Sequence, residues 1–256
     1  MQSDVGKEVM NEFEPVSLKE LNSRNYLSRY DTKFVINEDE LPQLLHLLKN
    51  NFYILEIDNN RHFSYNNLYF DTCDLKFYLD HHNNKRERVK VRLREYQDSH
   101  KRFIEVKKKL NNNITDKFRY DAGDFHSSLN QSDRDFIENF VDVDSGNLDS
   151  VLNVKYKRIT LLHKHKEEKI TIDTDIKYIS EDEDIDLQKL AVIELKQKRY
   201  YRSKLERIIS DFDGLKIRIS KYVIGIILTR EGIKYNRFKE KLLKLSKMNY
   251  GYFNFK

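Results

Sequence analysis

Five segments of the chain alternate charged and apolar residues with a period of two, and this pattern constrains the fold more than any other feature. In Arg88–Arg94 the sequence RVKVRLR places four cations on one face of a strand and three aliphatic side chains on the other. The same alternation recurs in residues 29–34, 103–109, 169–175 and 192–198. It predicts β-strands that present one apolar face and one charged face.

The charged faces carry more cations than the stability of a sheet requires, since like charges that lie side by side repel one another. One such strand alone is more typical of an ordinary half-exposed strand. Five together favour a site for a polyanion, because Arg binds phosphate through a planar fork and Lys binds it as a point charge. Two segments also carry a Glu-x-Lys pair, Glu105/Lys107 and Glu194/Lys196. Such sparse carboxylates suit a divalent metal that takes oxygen ligands together with phosphates.

The composition excludes several other classes of protein. A net charge of +5 in 256 residues is too small for a protein that coats nucleic acid. Cys73 is the only cysteine, so no internal disulfide or cysteine-based zinc site is expected, and no P-loop or dinucleotide-binding glycine motif occurs. Because the N-terminus lacks a signal-peptide pattern and the apolar run Tyr222–Leu228 is too short to span a bilayer, we expect a cytoplasmic protein.

Strand and helix patterns are interleaved without a Pro-, Gly- or Ser-rich linker, which predicts one α+β domain dominated by antiparallel strands. The predicted strands cover residues 26–36, 63–71, 88–98, 101–110, 152–163, 168–176 and 190–198. The predicted helices cover residues 38–51, 75–80, 127–141, 201–212 and 220–229, and a Lys-rich C-terminal helix follows. A closed β-barrel with helices packed outside it would enclose the charged faces in a water-filled tunnel.

Nine short motifs carry a resemblance to a known family. In chain order they are RYDTKF, LYFDT, KVRLREY, FIEVKKK, DKFR, YKRITL, ITIDTDI, VIELKQK and ISKYVIG. Together they resemble the polyphosphate polymerase (VTC) domain, a branch of the triphosphate tunnel metalloenzymes, over about residues 24–230. The resemblance implies a closed antiparallel β-barrel tunnel with packed helices at residues 21–235, between a lead-in at 1–20 and a basic helix or tail at 236–256.

The resemblance also implies roles for individual residues. The cations that line the tunnel and act in catalysis would be Lys33, Arg92, Arg94, Lys107, Arg158, Lys196 and Lys221. Further substrate contacts would come from Arg29, Lys90, Lys117, Arg119, Tyr156, Lys169 and Ser220, and the choice between Lys117 and Arg119 stays open. Glu194 would be the carboxylate that binds Mn²⁺ or Mg²⁺, with Glu105 either helping it or acting as a salt-bridge partner.

Two positions depart from the family pattern. Tunnel enzymes often carry Glu-x-Glu-x-Lys on the first strand, where this chain has Arg29-x-Asp31-x-Lys33, and Lys169 stands where the family tends to have Arg. The missing first acid argues against the adenylate-cyclase and thiamine-triphosphatase branches and agrees better with the polymerase branch.

The activity that the resemblance implies is a metal-dependent transfer of the γ-phosphate of ATP to a growing polyphosphate chain. The alternatives are a triphosphatase of the same fold and a non-enzymatic protein that binds polyphosphate or RNA. No specific nucleic-acid partner is expected. The basic C-terminal tail leaves open an association with a membrane surface or a membrane-protein partner.

Overall fold

The computed structural model describes residues 2–24, 30–110, 115–187 and 189–248. The helices in these ranges are α1 (Gln2–Asn11), α2 (Leu18–Ser23), α3 (Leu41–Leu48), α4 (Lys76–His82), α5 (Gln131–Glu138), α6 (Lys204–Asp211), α7 (Lys221–Thr229) and α8 (Lys239–Lys247). The strands are β1 (Pro15–Val16), β2 (Tyr30–Asn37), β3 (Phe52–Leu55), β4 (Phe63–Thr72), β5 (Arg88–Tyr96), β6 (Lys101–Lys109), β7 (Thr115–Asp121), β8 (Leu148–His163), β9 (Glu168–Ile179), β10 (Asp184–Leu187), β11 (Leu190–Gln197) and β12 (Leu215–Lys216).

Seven strands were predicted from the sequence, and all seven are confirmed in the described residues with shifts of a few residues at their ends. Two of the predicted helices, α5 and α6, begin later than expected because side-chain caps set their start. The hydroxyl of Ser203 accepts a hydrogen bond from the backbone N–H of Glu206, and the backbone N–H of Ser203 donates one to the Glu206 carboxylate, so α6 begins at Lys204 and not at residue 201. The same reciprocal cap between Asn130 and Asp133 starts α5 at Gln131.

The described chain divides into two compact units, and each has its own core. The first unit comprises the described residues of Met1–Phe63, Lys157–Ile176 and Leu187–Ile219. Its strands follow the order β12-β2-β11-β9-β8, and β3 pairs with β8 and with β1. The apolar faces of these strands pack against α3 and α6 through Phe34, Ile36, Ile170, Ile172, Ile193, Leu195, Leu44, Leu45, Leu48, Leu205 and Ile209. Burial of such aliphatic side chains stabilises the unit by roughly 1.5–3 kcal/mol each.

The second unit comprises the described residues of Ser64–Tyr156, Lys177–Asp186 and Ser220–Lys256. Its strands follow the order β8-β4-β5-β6-β7, and β10 pairs with β9. The apolar faces of the central strands pack against α4 and α5 through Leu68, Phe70, Val91, Leu93, Ile104, Val106, Phe77 and Ile137. In both units, therefore, the apolar faces contact helices, as the alternation predicted, and the charged faces point the other way.

The prediction of a closed barrel is wrong for the part of the chain that the structure describes. The strand order begins at β12 and ends at β7, and no pairing between described strands joins these two ends. The α+β class and the antiparallel sheet are confirmed. The error has a physical reason: alternation identifies the two faces of each strand, whereas closure depends on the number of strands and on their stagger, which alternation does not specify.

Helix α7 is buried along its whole length, from Tyr222 to Thr229, yet it has only nine residues. None of the described helices combines the length and the apolar character that crossing a bilayer requires.

Gly225 lies in the middle of α7, and its replacement tests how tightly this helix packs. A Cβ atom at this position would lie 2.5 Å from Leu152 Cδ2 and 2.7 Å from Tyr178 Cδ1. We expect Gly225→Ala to destabilise the protein by roughly 1–2 kcal/mol, because an overpacking cost of about 1–3 kcal/mol exceeds the gain of about 1 kcal/mol in helix propensity. Scanning calorimetry should then show a melting temperature lower by about 2–8 °C.

Gly6→Ala is the matched control, because Gly6 is also in a helix, α1, and a Cβ there would meet no atom within 4 Å. This variant should be more stable than the wild type by about 0.5–1 kcal/mol. Equal effects of the two substitutions would contradict the close packing of α7.

Candidate functional site

The charged face of the first unit is built around Glu194, which lies on β11 between two neighbouring strands. The register places Glu194 directly opposite Lys33 on β2 and opposite Thr171 on β9. Lys196 Nζ lies 2.5 Å from one carboxylate oxygen of Glu194, and Lys33 Nζ lies 3.6 Å from the other. Lys196 also donates to the hydroxyl of Thr171 at 3.2 Å. We call Glu194, Lys33, Lys196 and Thr171 the Glu194 cluster.

The charges of this cluster determine the ionisation of its acid. Burial opposes ionisation of Glu194, but the charges of Lys196 and Lys33 outweigh it and hold the pKa of Glu194 well below its ordinary value. Burial lowers the pKa of Lys196, and Glu194 partly offsets that effect. The side chain of Lys196 is only 10% exposed, so it depends on this carboxylate for its charge. Glu194 is consequently held in its ionised form at neutral pH.

Two further groups of charges lie on the same face. Arg158 on β8 donates two hydrogen bonds to the carboxylate of Asp173 on β9, at 2.5 and 2.8 Å. In the row next to Glu194, Lys196 lies opposite Asp31 on β2 and opposite Lys169 on β9. The structure thus brings together Lys33, Arg158, Lys169, Lys196 and Glu194 on the strands of this unit. Arg29, which was also predicted, lies outside the described residues.

The charged face of the second unit is built around Glu105, which is 1% exposed. Arg92 donates to one carboxylate oxygen of Glu105 from Nε at 2.8 Å and from Nη2 at 2.6 Å. Arg94 Nε lies 3.7 Å from the same oxygen, and Lys117 Nζ lies 2.5 Å from the other. Burial opposes ionisation of Glu105, but the charges of Arg92, Arg94 and Lys117 hold its pKa far below the ordinary value. We call these four residues the Glu105 cluster.

Beside the Glu105 cluster runs a row of three lysines on adjacent strands. Lys90 on β5 lies opposite Lys107 on β6, which lies opposite Lys117 on β7. Side chains in such positions are about 4.5–5.5 Å apart at Cβ, so their charges repel. Arg119 is on the same face, and its guanidinium lies 5.0 Å from the ring centroid of Phe103. Lys117 and Arg119 therefore both lie on the charged face, and the choice between them as a substrate contact stays a prediction.

The remaining predicted residues of the second unit border the same strands. Lys90 Nζ donates to the hydroxyl of Ser220 at 2.8 Å. Arg94 Nη2 donates to the hydroxyl of Tyr156 at 3.4 Å, and Lys221 Nζ lies 4.7 Å from the ring centroid of Tyr156. Hydroxyl and ammonium donors thus accompany the guanidinium groups, and all of them suit phosphate oxygens.

Sequence reasoning missed two residues that orient the arginines. The side-chain oxygen of Asn67 accepts a hydrogen bond from Arg94 Nε at 2.9 Å, and the hydroxyl of Tyr69 accepts one from Arg92 Nη1 at 3.1 Å. Both lie on β4 directly opposite their arginines. The available signal was their spacing of two residues, which places Asn67 and Tyr69 on one face of a strand that was itself predicted.

A divalent metal would find few protein ligands in these clusters. Among residues 2–24, 30–110, 115–187 and 189–248, no group of three or more His, Cys, Asp or Glu side chains is placed to hold a metal. Mg²⁺ is commonly held by one or two carboxylates, with phosphates and waters completing the coordination. The donor set therefore fits a metal that binds through Glu194 together with substrate phosphates. Glu105 fits this role poorly, because the guanidinium group of Arg92 makes two hydrogen bonds to one of its oxygens and Lys117 lies 2.5 Å from the other.

Comparison with solved structures places this fold among known proteins. A putative adenylyl cyclase from Hippeastrum, reported to have a dominant triphosphatase activity, matches with a TM-score of 0.52 and 14% identity, over 80% of this chain and 99% of its own. A putative adenylate cyclase from Vibrio parahaemolyticus gives a TM-score of 0.46 and 12% identity, over 78% of this chain and 99% of its own. The PH1819 protein from Pyrococcus horikoshii gives a TM-score of 0.44 and 14% identity, over 76% of this chain and 95% of its own. At these identities the likeness concerns the fold alone.

Comparison with curated proteins finds no match. Comparison with family models finds a match: the VTC domain model covers residues 28–230, which include every predicted site residue described above. A match over this length, on a chain whose charged strand faces carry the family's motifs, shows that the chain belongs to the VTC domain family.

Proposed function

We propose that this protein is a metal-dependent polyphosphate polymerase that transfers the γ-phosphoryl group of ATP to the end of a growing polyphosphate chain. The observation that carries the proposal is the Glu194 cluster, in which a half-buried carboxylate is kept ionised between two lysines. In a protein that only binds anions, this carboxylate would repel the ligand and would serve only to keep Lys196 charged. An enzyme gains a ligand for the metal that accompanies the triphosphate.

The reaction needs positioning and charge stabilisation more than it needs a base. An oxygen of the terminal acceptor phosphate attacks the γ-phosphorus, and the bond from that phosphorus to the β–γ bridging oxygen breaks, so that ADP leaves. The acceptor oxygen is already ionised, so no proton has to be removed. A bound Mg²⁺ or Mn²⁺ would act as a Lewis acid towards the phosphate oxygens.

The side chains of this chain supply the rest of the proposed chemistry. Arg92, Arg94 and Arg158 present guanidinium forks that match phosphate oxygens, and loss of one such donor costs about 10²–10³ in rate in comparable sites. Lys33 and Lys196 keep Glu194 ionised and add positive charge beside it. Asn67 and Tyr69 hold Arg94 and Arg92 in position before the substrate arrives.

Hydrolysis of a triphosphate is the second candidate, because the same groups serve when water is the acceptor. The structural likeness to the Hippeastrum protein, with its reported triphosphatase activity, favours this alternative. The two reactions differ in one requirement: water must lose a proton as it attacks, whereas an acceptor phosphate need not. The products distinguish them directly.

Glu194→Gln is the substitution that tests the proposed role of the Glu194 cluster. With ATP, a short polyphosphate primer and Mn²⁺ or Mg²⁺, the wild type should produce a ladder of phosphate chains on a gel. The variant should lose at least about 10²-fold in rate, the size of effect seen when one group that stabilises transition-state charge is removed. In metal-free buffer with EDTA, it should bind tripolyphosphate at least as tightly as the wild type, because a negative charge has been removed.

Glu167→Gln is the matched control, since Glu167 pairs with Lys198 at the surface, where both side chains are about half exposed. It should retain the activity of the wild type, and thermal unfolding should show that both variants are folded. Free phosphate without a ladder would assign the protein to the triphosphatases. An unchanged rate and metal dependence in Glu194→Gln would overturn the proposed role of Glu194 as the metal ligand.

The row of three lysines leads to a prediction in which stability and binding change in opposite directions. Lys107 lies between Lys90 and Lys117, so Lys107→Gln removes two like-charge contacts. We expect the ligand-free variant to be more stable by about 0.2–1 kcal/mol, because the repulsion is relieved. It should bind tripolyphosphate roughly tenfold more weakly, which corresponds to about 1.4 kcal/mol. Urea denaturation and titration calorimetry measure the two effects.

Lys108→Gln provides the comparison, because Lys108 follows Lys107 on the opposite face of β6, across from Val89 and Asp116. Its affinity for tripolyphosphate should equal that of the wild type. A Lys107→Gln variant that lost stability and kept its affinity would show that the lysine row has a structural role.

A further inference from the structure

The second unit holds a further buried carboxylate, which the proposed chemistry does not use. Asp71 on β4 is completely buried. One of its oxygens accepts hydrogen bonds from the backbone N–H groups of Thr72 and Phe77, both at 2.8 Å. The other accepts one from the backbone N–H of Tyr78, at 2.9 Å, and one from the hydroxyl of Tyr222. Burial raises the pKa of Asp71, and these four neutral donors offset only part of that rise. Because a buried carboxylate that loses a donor is costly, it holds the groups that bind it in place.

Asp71 connects β4 to the first turns of helices α4 and α7. Phe77 and Tyr78 are the second and third residues of α4, so their N–H groups are among those that a helix leaves without an internal partner. Tyr222 is the second residue of α7 and directly follows Lys221, one of the predicted site residues. The sequence motifs LYFDT and ISKYVIG therefore meet at the contact between Asp71 and Tyr222.

The ring of Tyr222 continues this connection towards the Glu105 cluster. It stacks on the ring of Tyr69, with centroids 5.0 Å apart and an angle of 25° between the planes. Tyr69 lies two residues before Asp71 on the same face of β4. The hydroxyl of Tyr69 accepts a hydrogen bond from Arg92 Nη1 at 3.1 Å, and the guanidinium carbon of Arg92 lies 5.8 Å from the ring centroid of Tyr69. Tyr69 thus contacts both the anchored ring and the arginine.

We propose that Asp71 and Tyr222 are positioning residues that set the place of the Arg92 guanidinium group through the phenol of Tyr69. This inference rests on the proposed function, in which Arg92 holds phosphate oxygens, and it adds two residues that act without touching substrate. Stacked aromatic rings are favourable over a range of offsets, so stacking alone leaves a ring free to slide. The hydrogen bond to Asp71 fixes the far end of the Tyr222 phenol and so prevents Tyr69, the acceptor of Arg92, from shifting.

Tyr222→Phe tests this role, because it removes the hydroxyl that binds Asp71 and keeps the ring. Tyr78→Phe is the matched control. Tyr78 is also buried, and its hydroxyl donates at 2.9 Å to the backbone carbonyl of Lys234. The backbone N–H that Tyr78 donates to Asp71 is unchanged in this variant. Each variant loses one hydrogen bond of a buried phenol, so thermal unfolding should show both to be folded, with lowered melting temperatures.

NMR of the ligand-free protein reports the position of Arg92 without any turnover. Nε–H of Arg92 donates to Glu105 at 2.8 Å, and Nε–H of Arg94 donates to Asn67 at 2.9 Å. In Tyr222→Phe the Arg92 signal should shift and exchange with water roughly tenfold faster, because its contacts open more easily. The Arg94 signal should stay unchanged, which makes it an internal reference. Tyr78→Phe should leave both signals as they are in the wild type.

A double-mutant cycle shows whether Tyr222 acts through Tyr69. In the ladder assay, Tyr222→Phe should lower kcat by about tenfold or more, since a misplacement of about 1 Å can cost 10²-fold. The KM for ATP should stay within about twofold, because the other cations of the face still bind the triphosphate. Tyr69→Phe removes the acceptor of Arg92, so Tyr222→Phe should have no further effect in that background. Tyr78→Phe should keep the kcat of the wild type.

The outcomes separate this inference from the proposed function. An Arg92 signal that shifts in Tyr222→Phe alone, in a protein that forms no phosphate ladder, would support the positioning role and reject the polymerase. A ladder formed by Tyr222→Phe at the rate of the wild type, or an unchanged Arg92 signal, would overturn the positioning role and leave the polymerase in place. Equal effects of Tyr222→Phe and Tyr78→Phe, or additive effects of Tyr222→Phe and Tyr69→Phe, would also overturn it, because the hydroxyl would then only stabilise the fold.

Discussion

The contact between a buried carboxylate and the cations on adjacent strands is the interaction on which the charged faces depend. Without Glu105, the guanidinium groups of Arg92 and Arg94 would lie close together in a partly dry environment with no opposite charge. Glu194 has the same role for Lys196, which is almost completely buried. Each acid lowers the electrostatic free energy of its neighbours, and the neighbours keep the acid ionised. The remaining excess of cations is what makes the faces attractive to a polyanion.

The apolar faces of the strands stabilise the sheet enough to offset the repulsion between the cations on the charged faces. In each unit the same strands turn Val, Leu and Ile side chains towards helices, and that apolar burial is the dominant favourable contribution to folding. Strands held in this way keep their register while their other face carries repelling charges. The register matters for function, because a slip of one residue would exchange the two faces and remove Glu194 from Lys33.

The sequence allowed the charged face of each strand to be predicted, but not which residues of the neighbouring strands lie opposite it. Alternation correctly grouped Arg92 with Arg94 and Glu194 with Lys196, because the period of a strand is a property of the strand itself. It could not predict that Arg92 lies opposite Glu105, since pairing depends on turns and on the rest of the sheet. Strand β7 was missed because its side chains are mostly exposed and leave little apolar signal. Closure of the sheet was predicted wrongly for the same reason as the pairing.

The two carboxylates differ in how easily they can change partners, and this difference supports separate roles. Glu105 receives a two-pronged contact from Arg92, whose planar fork is rigid, and a further contact from Lys117. Glu194 contacts only ammonium groups in its cluster, one at 2.5 Å and one at 3.6 Å. An ammonium group on a flexible four-carbon stem can leave one oxygen for another with little rearrangement, whereas a guanidinium fork loses two bonds together. In the proposed reaction, arriving phosphates would therefore draw the lysines away and leave the oxygens of Glu194 to a metal, while Glu105 would continue to hold its arginines in place.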